Sequence, residues 1–261
     1  MRRWILVLGS SSGFGAASCR AFAAAGYDVL GVHLDRRSTL PHAEAVVEAV
    51  RAEGRSCRFF NANAASEDTR AAVVAGIQEI LEAEGGRLEV LLHSLAFGSL
   101  LPFVPADGGR GLKPRQLTMT MEVMAHSLVW WTRDLVEAGL LGDGGRVYAM
   151  TSSGSHTACD SYGAVGAAKA ALESYVRQLA YELSSRGVTV NAVMAGVTET
   201  PALQKIPNNE KLVRNAIMRN PHDRLTQPED VAACLVELAR PGTYWLTGNV
   251  LRVDGGEDVS S

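Results

Sequence analysis

Short apolar runs alternate with longer amphipathic segments along almost the whole chain, and this alternation is the feature that most restricts the fold. The predicted strands are residues 4–8, 29–33, 57–60, 90–93, 146–150, 188–193 and 250–253. The predicted helices are residues 16–25, 42–53, 69–84, 117–141, 164–186 and 229–240. Alternation of this kind predicts a parallel sheet with helices on both faces. We therefore expect one doubly wound α/β domain over residues 1–261, with about seven strands.

The composition supports one large apolar core and argues against a nucleic-acid partner. Hydrophobic residues make up 47% of the 261 residues, which is enough for one sizeable buried core. The net charge is only -3, and lysines and arginines are scattered along the chain rather than grouped in a basic run. We therefore expect no DNA or RNA partner.

We expect a cytoplasmic protein with neither a membrane span nor a secretion signal. No run approaches the roughly 18 apolar residues that a spanning helix needs. Residues 4–8 lead directly into a glycine-rich turn, which favours a buried strand over a signal peptide. The cysteines, at positions 19, 57, 159 and 234, form no Cys-x-x-Cys pair, so we expect reduced thiols and no metal site.

A glycine-rich turn follows the first predicted strand and opens the first predicted helix. Gly9, Gly13 and Gly15 lie in the sequence Gly-Ser-Ser-Ser-Gly-Phe-Gly. Residues without a Cβ let the backbone approach a pyrophosphate, and the free N–H groups of a helix N-terminus bind anions. The position of the turn therefore favours dinucleotide binding, although a plain tight turn between strand and helix would show the same pattern.

The same turn also matches Gly-x-Ser-x-Gly, the nucleophile turn of serine hydrolases, with Ser11 as the nucleophile. Histidines that could complete a triad follow later, for example His156 and His222. In hydrolases of this type several strands precede the nucleophile, whereas only one strand does so here. The hydrolase is therefore the less favoured alternative.

A tyrosine and a lysine on one predicted helix are the main candidates for catalysis. Tyr162 and Lys169 are seven residues apart, nearly two helical turns, so their side chains point the same way, separated by about 10 Å along the axis. Beside a nicotinamide, such a phenol can donate a proton or stabilise an oxyanion, and the ammonium eases its ionisation. An exposed pair on an amphipathic helix is the alternative. The position of this helix just after the strand that leads into Ser152 favours catalysis.

Several motifs together resemble the short-chain dehydrogenase/reductase superfamily over nearly the whole chain. They are the turn with Gly9, Gly13 and Gly15, Ser152, the Tyr162 and Lys169 pair, and residues 190–193, 195–200 and 246–256. The resemblance implies a Rossmann-like fold, an NAD(P)H-dependent oxidoreductase, and a homotetramer or homodimer.

The catalytic helix is similar to that of the bacterial enoyl-acyl-carrier-protein reductases, in the branch that uses NADPH. Typical superfamily members place the tyrosine four residues before the lysine, where this chain has Val165. Residues 93–97, His-Ser-Leu-Ala-Phe, replace their Asn-Asn-Ala-Gly turn, and Met124 replaces an asparagine that holds a relay water. Ser152 matches the catalytic serine of the wider superfamily, and it either bonds the substrate carbonyl or caps the strand. The resemblance implies fatty acid biosynthesis and an acyl thioester on acyl carrier protein or CoA.

The displaced tyrosine favours reduction of a carbon–carbon double bond. An enoyl reductase delivers hydride to Cβ, while negative charge develops on the thioester oxygen two atoms further along. Moving the tyrosine by three residues shifts it about 4.5 Å along the helix, while Lys169 can stay on the nicotinamide ribose. We therefore expect an enoyl-thioester reductase in which Tyr162 stabilises the enolate. The alternatives are a carbonyl or alcohol oxidoreductase acting on a 3-ketoacyl thioester or a ketone, and a nucleotide-binding sensor, which would not need Tyr162 and Lys169.

The end of the second predicted strand bears on the choice between NADH and NADPH. Asp35 favours the ribose hydroxyls of NAD, whereas Arg36 and Arg37 favour the 2′-phosphate of NADP. Asp35 lies two residues beyond the position that NAD-selective relatives use, so we expect NADP(H) to be preferred and NAD(H) to be possible. The alternative is that all three are solvated loop charges.

The resemblance also assigns cofactor and substrate contacts. The implied cofactor-binding residues are Gly9, Ser11, Ser12, Gly13, Phe14, Gly15, His33, Asp35, Arg36, Arg37, Asn63, Ala64, Ser94, Leu95, Ala96, Lys169, Gly196, Val197, Thr198 and Thr200. Phe97 and Tyr162 are the implied substrate contacts. Residues 97–114 and 196–228 each follow the carboxyl end of a predicted strand, so we expect them to be substrate loops, with ordinary surface loops as the alternative.

Overall fold

The structure, a computed structural model of the chain, describes residues 1–106 and 108–260, and one sheet organises this part. Its seven strands are β1 (Arg3–Leu8), β2 (Asp28–His33), β3 (Cys57–Asn61), β4 (Arg87–His93), β5 (Arg146–Thr151), β6 (Thr189–Ala195) and β7 (Val250–Val253). Their spatial order is β3-β2-β1-β4-β5-β6-β7, and all neighbouring pairs are parallel. The predicted fold class, a doubly wound, Rossmann-like α/β sheet of about seven strands, is confirmed.

Helices fill the connections between the strands. They are α1 (Gly13–Ala24), α2 (Leu40–Ala52), α3 (Glu67–Glu84), α4 (Pro114–Met121), α5 (Ser127–Glu137), α6 (Gly163–Glu182), α7 (Asn209–Arg219) and α8 (Pro228–Leu238). Each predicted helix has a counterpart here, and α7 lies within the expected substrate loop 196–228. The predicted helix 164–186 is too long at its end, because α6 stops at Glu182 and a 3-10 turn leads to Gly187, which has φ +66°.

The prediction of one continuous helix over residues 117–141 is wrong. The helical run begins earlier, at Pro114, whose fixed φ suits the first helical turn. A π-helical turn, Glu122–His126, then separates α4 from α5, and it contains the buried Met124. The run stops at Glu137, shortly before Gly139, whose φ is +70°. Single π-turns inside helices are frequent at functional sites.

Apolar layers cover both faces of the sheet. Alternate residues of β1 face opposite layers: Trp4 and Leu8 pack in the layer with Trp131 of α5, and Ile5 packs in the layer with Phe22 of α1. All five side chains are fully buried. Burial on both faces explains why the strands are almost continuously apolar in the sequence.

The strand order reverses between β1 and β4, and this reversal positions the ligand site. The connections from β1 and β4 lead to opposite sides of the sheet, so a crevice opens between the carboxyl ends of the two strands. Leu8 and His93 are register partners at this edge. The glycine-rich turn and residues 94–97 therefore begin on opposite sides of the crevice.

Two further observations concern the membrane and the cysteines. Within residues 1–106 and 108–260, none of the helices combines the length and the apolar character that crossing a membrane requires. The cysteines carry free thiols, with Cys19 and Cys57 in the interior and Cys159 at the surface.

Candidate active site

The glycine-rich turn after β1 is held by backbone contacts that leave no room for side chains. A Cβ on Gly9 would lie 2.5 Å from the carbonyl oxygen of Ser94, and a Cβ on Gly15 would overlap the carbonyl oxygen of Gly9. The Gly9 N–H donates to the carbonyl oxygen of Val32 in β2 at 2.8 Å. The turn is thus fixed between β2 and the segment after β4, at the crevice where the strand order reverses.

The first turn of α1 is suited to an anion. Ser12 is the N-cap, and its side chain makes no capping hydrogen bond. This turn contains no acidic residue, so the free N–H groups and the positive end of the helix dipole are uncompensated. Gly13 has φ +52°, and a Cβ there would lie 3.3 Å from the methyl group of Thr200. These residues fit a dinucleotide whose pyrophosphate lies against the helix N-terminus.

A cluster of polar side chains fixes Asp35 beyond the end of β2. His33 Nδ1 lies 2.8 Å from Asp35 Oδ2, and Asn61 in β3 forms two hydrogen bonds of 3.0 Å with the backbone of Asp35. Burial raises the pKa of Asp35, but hydrogen bonds from Thr39, Ser11 and His33 outweigh this effect and bring that pKa below its ordinary value. The carboxylate is therefore charged, and it is linked to the glycine-rich turn through Ser11.

The remaining residues predicted to bind the adenosine lie at the same edge. Arg36 and Arg37 lie in the exposed turn after β2, and within the described residues neither guanidinium forms an ion pair. Asn63 and Ala64 follow β3. The side chain of Asn63 accepts a hydrogen bond from the Ala65 N–H at 3.1 Å, so it is held within its own turn.

Tyr162 is the N-cap residue of α6 and follows Ser161, whose φ of +61° lies in the left-handed region. The phenol oxygen is 3.3 Å from Ser152 Oγ, longer than an ordinary O–H···O hydrogen bond. Burial raises the pKa of Tyr162, and the hydrogen bond with Ser152 offsets only part of this rise. The phenol is therefore a protonated donor near neutral pH.

Lys169 is buried in α6, and its ammonium is directed at a backbone carbonyl. Nζ donates to the carbonyl oxygen of Met150, in β5, at 2.7 Å. Burial lowers the pKa of Lys169 to about 8, and the negative charge of Glu173 opposes this effect only in part. Burial, Ser152 and Cys159 account for the shift in the pKa of Tyr162, and the expectation that the ammonium eases the ionisation of the phenol stays a prediction.

His93, at the end of β4, is fully buried and neutral. Burial, together with the positive charge of Lys169, lowers the pKa of His93 to about 3. His93 Nε2 lies 2.8 Å from Ser127 Oγ, which itself donates to the carbonyl oxygen of Val123 at 2.7 Å, so Nε2 carries the proton. Within the described residues, Nδ1 has no hydrogen-bond partner. His93 therefore places a neutral, unpaired acceptor in the interior near Lys169.

A cavity of about 460 Å³ opens beside Tyr162 and Lys169. Its apolar lining includes Phe97, Leu100, Met124, Met150, Val165, Leu203, Ile206, Leu212 and Ala216. Val165, four residues before Lys169, is buried, and Met124 enters the cavity from the π-turn. A Cβ on Gly98 would lie 2.9 Å from Val165, so this loop is packed directly on α6. Both substrate loops predicted from the sequence contribute to the cavity walls.

The cavity brings together many of the predicted site residues. Those that line it are Phe14, Ser94, Leu95, Ala96, Phe97, Ser152, Tyr162, Lys169, Gly196, Val197, Thr198 and Thr200. The others lie outside it, at the carboxyl end of β2, in the segments that follow β1, β2 and β3, and in the first turn of α1; they are Gly9, Ser11, Ser12, Gly13, Gly15, His33, Asp35, Arg36, Arg37, Asn63 and Ala64.

Lining residues on α7 and in the turn after β7 were not predicted from the sequence. Leu212, Ala216 and Arg219 of α7 line the cavity, as does Glu257. The spacing of the three α7 residues, i, i+4 and i+7, is typical of one helix face and could have indicated this wall. Glu257 follows Asp254-Gly-Gly with no local pattern that marks it as a site residue.

A family model described as enoyl-(acyl carrier protein) reductase matches residues 9–257, which is nearly the whole chain. The match includes the glycine-rich turn and the helix with Tyr162 and Lys169. The chain belongs to this family of short-chain dehydrogenases/reductases. As a member of the superfamily it is an NAD(P)H-dependent oxidoreductase.

Individual relatives agree with the family and the fold. An enoyl-[acyl-carrier-protein] reductase [NADH] from Aquifex aeolicus is 30% identical over 187 residues, 71% of this chain and 68% of that protein. A 1-cyclohexenylcarbonyl-CoA reductase from Streptomyces collinus is 28% identical over 260 residues, 99% of this chain and 88% of that protein. The crystal structure of a short chain dehydrogenase from Burkholderia cenocepacia in complex with NADP has a TM-score of 0.80 and 27% identity, and covers 97% of both chains.

The family assignment removes two of the alternatives. The chain is a short-chain dehydrogenase/reductase, so the serine hydrolase with Ser11 as its nucleophile is wrong. The oxidoreductases among the relatives also argue against a sensor without turnover. The family assignment alone does not distinguish double-bond reduction from carbonyl reduction.

Proposed function

We propose that the protein reduces the carbon–carbon double bond of 2-enoyl thioesters. The observation that carries this proposal is the displaced phenol: Tyr162 precedes Lys169 by seven residues, and the buried Val165 fills the position four residues before the lysine. An apolar side chain at that position has no group to offer a substrate carbonyl. The printed names of the Aquifex and Streptomyces relatives, an enoyl-thioester reductase and a reductase of an unsaturated CoA thioester, support the same reaction.

Bound NAD(P)H supplies the hydride, which is added to Cβ of the enoyl group. Tyr162 donates a hydrogen bond to the thioester oxygen, and this bond strengthens as the oxygen takes on enolate charge. The raised pKa of Tyr162 keeps the proton on the phenol, so that the tyrosine stabilises the charge without becoming ionised. A proton from water is then added at Cα. Lys169 would hold the nicotinamide ribose, and the turn with Gly9 and Gly13 the pyrophosphate.

The lining of the cavity supports an acyl chain on an anionic carrier. Most of the surface that lines the cavity is apolar, which suits an aliphatic chain. Lys205 and Arg219 also line the cavity, and Lys211 and Arg214 lie on α7. These four basic residues contrast with a net charge of -3 for the whole chain. We propose acyl carrier protein or CoA as the carrier, since both are anionic.

For the cofactor we propose a preference for NADP(H), with NAD(H) also accepted. The exposed guanidiniums of Arg36 and Arg37 support binding of a 2′-phosphate. The charged Asp35 favours NAD(H) instead, and its hydrogen bond with His33 holds it close to β2.

One observation favours carbonyl reduction as a second candidate. Ser152 and Tyr162 are within 3.3 Å of each other, and both line the cavity, so a ketone oxygen could accept from both hydroxyls. The 3-ketoacyl thioester with the same carbon skeleton is therefore the substrate against which the enoyl thioester has to be compared.

The decisive experiment measures NADPH and NADH oxidation with crotonyl-CoA and acetoacetyl-CoA, for the wild type and for Tyr162→Phe. We expect the wild type to prefer crotonyl-CoA and Tyr162→Phe to lose about 100-fold or more in kcat, as is typical when one oxyanion donor is removed. Tyr175→Phe is the matched control, because Tyr175 lies on the same helix and bonds His126 outside the cavity at 3.0 Å. It should retain full turnover.

Two results would contradict the enoyl-reductase proposal. Faster turnover of acetoacetyl-CoA by the wild type would favour the carbonyl reductase. A wild-type kcat for crotonyl-CoA in Tyr162→Phe would show that the phenol takes no part in the reaction. Repeating the assay with an acyl-carrier-protein thioester distinguishes the two carriers.

We also propose a homotetramer or homodimer. Tyr181, Tyr244 and Trp245 are exposed by 79%, 59% and 84%, and the latter two come just before the edge strand β7. Large exposed aromatic residues beside a sheet edge are typical of subunit interfaces. Light scattering of the purified protein measures the number of chains.

A further inference from the structure

Glu257 is a buried carboxylate in the wall of the active-site cavity. It begins the short turn Glu257–Val259 after β7, and only 3% of its surface is exposed. Its Oε2 accepts a hydrogen bond from the Val197 N–H at 3.0 Å. A Cβ on Gly196 would lie 2.6 Å from the same oxygen. The carboxylate is therefore packed directly on the backbone that follows β6.

The second oxygen of Glu257 faces the other wall of the cavity. Oε1 lies 3.8 Å from Nη2 of Arg219, in the last turn of α7. Arg219 and Val197 both line the cavity that contains Tyr162. One carboxylate thus bridges the segment assigned to the cofactor, after β6, and the helix that forms part of the acyl-chain wall.

Burying the Glu257 carboxylate costs free energy unless hydrogen bonds and opposite charges compensate for the lost hydration. Burial raises the pKa of Glu257, the Val197 N–H and Arg219 oppose that rise, and the negative charges of Asp254 and Asp258 add to it. An apolar residue of similar size would fill the same space without this cost. Incompletely compensated carboxylates in a cavity wall are typical of functional sites.

We propose that Glu257 is a positioning residue that sets the Val197 backbone for cofactor binding and, through Arg219, sets α7 for thioester binding. The inference rests on the proposed function only for the identity of the thioester. Its two contacts can be separated by mutation. A glutamine can still accept from the Val197 N–H but cannot pair with the charge of Arg219, whereas an alanine can do neither.

The experiment measures KM for the cofactor and KM for the thioester in Glu257→Gln, Glu257→Ala, Arg219→Gln and the double variant Glu257→Gln/Arg219→Gln. We expect Glu257→Ala to raise both constants at least several-fold. Glu257→Gln should raise only the thioester KM, by about as much as Arg219→Gln does. The double variant should show no further increase, because the two single changes break one interaction.

Asp258→Asn is the matched control. Asp258 neighbours Glu257 in the same turn, but its carboxylate pairs with Arg252 at 3.0 Å and His156 at 3.2 Å and does not line the cavity. It should leave both KM values unchanged. If Glu257→Ala does not fold, Glu257→Gln and the double variant decide the question.

A structural role alone would predict a different pattern. It would lower the melting temperature of Glu257→Gln and Glu257→Ala while leaving both KM values as in the wild type, and that result would overturn the proposal. So would additive increases in the double variant, or equal effects on the two KM values in Glu257→Gln. The measurements use whichever thioester the wild type turns over faster, so a failure of the enoyl assignment leaves this test intact.

Discussion

Backbone forms most of one half of the site, and side chains form most of the other. The nucleotide half consists mainly of backbone: Gly9 and Gly15 approach neighbouring carbonyl groups so closely that a Cβ cannot fit. The proposed catalytic half consists of side chains: Lys169 and Glu257 are buried, Tyr162 is partly buried, and burial shifts the pKa of each.

This difference determines what each half tolerates. Backbone N–H groups do not titrate over the physiological range, so the nucleotide half should be insensitive to pH but intolerant of added side chains. The catalytic half accommodates changes of shape in a cavity of about 460 Å³, but it depends on which protons its groups hold. Three changes to the protein or its conditions test this contrast.

The first prediction adds a side chain to the nucleotide half. Gly13→Val should abolish nucleotide binding, because the valine would occupy the approach of the phosphates and meet the Thr200 methyl group. Gly54→Val is the matched control: Gly54 also has a positive φ, +70°, but no atom lies within 4 Å of its Cβ position. Both variants should lose about 1–2 kcal/mol of stability from the left-handed backbone.

Thermal shift with added NADP and NAD measures this prediction. Gly54→Val should be stabilised by nucleotide as the wild type is, and Gly13→Val should not. Normal nucleotide binding by a folded Gly13→Val protein would contradict the assignment of the turn.

The second prediction concerns the charges that surround the ribose. Removing Arg36 and Arg37 together should weaken NADPH binding by about tenfold or more, since a lost charge-assisted phosphate contact costs roughly 1.5 kcal/mol or above. NADH binding should be nearly unchanged. Isothermal titration with the two cofactors measures both affinities. If the wild type prefers NADH and Asp35→Ala is the change that weakens binding, NAD(H) is the preferred cofactor.

The third prediction uses pH to separate the halves. Because the pKa of Lys169 is about 8, its ammonium is lost above that pH, and kcat/KM should fall towards a tenfold decrease per pH unit. Binding of ADP, which reaches only the nucleotide half, should stay constant over the same range. Lys169→Arg, which keeps its charge, should remove the decrease in whatever activity it retains. A flat kcat/KM profile through pH 9.5 or so would show that the ammonium is not required.

Unfolding does not explain such a loss of activity. The pKa of Lys169 is lowered from an ordinary value of 10.5 to about 8 in the folded protein. Between these two values the unfolded chain binds more protons at this group than the folded chain, so the contribution of Lys169 to stability becomes more favourable as the pH rises. A fall in rate accompanied by a steady or higher melting temperature therefore identifies the catalytic charge.

Much of the fold could be predicted because its signals are local. The strands are short apolar runs, and the glycine-rich turn follows the first of them directly. The prediction failed where packing changes a helix: the sequence from 117 to 141 has one helical period, yet a π-turn at Glu122–His126 interrupts it. No local rule distinguishes the residues of that turn from those of an ordinary helix.

The site shows the same division. The spacing of Tyr162 and Lys169 could be recognised in the sequence because both lie on one helix. The contact between Glu257 and Val197 could not, because it joins residues 60 positions apart. The direction in which Lys169 points was also not readable, because its partner is a backbone carbonyl of β5.

The sheet, the place of the glycine-rich turn and the candidate catalytic tyrosine could all be derived from the amino-acid sequence. These follow from periodicity, from glycine at positions where the backbone makes close contacts, and from spacing along one helix. The shifts in the pKa values of the site depend on tertiary structure. Burial raised the pKa of Tyr162, lowered the pKa of Lys169 to about 8 and enclosed Glu257. Desolvation depends on which distant segments cover a group, and the sequence around that group does not record it.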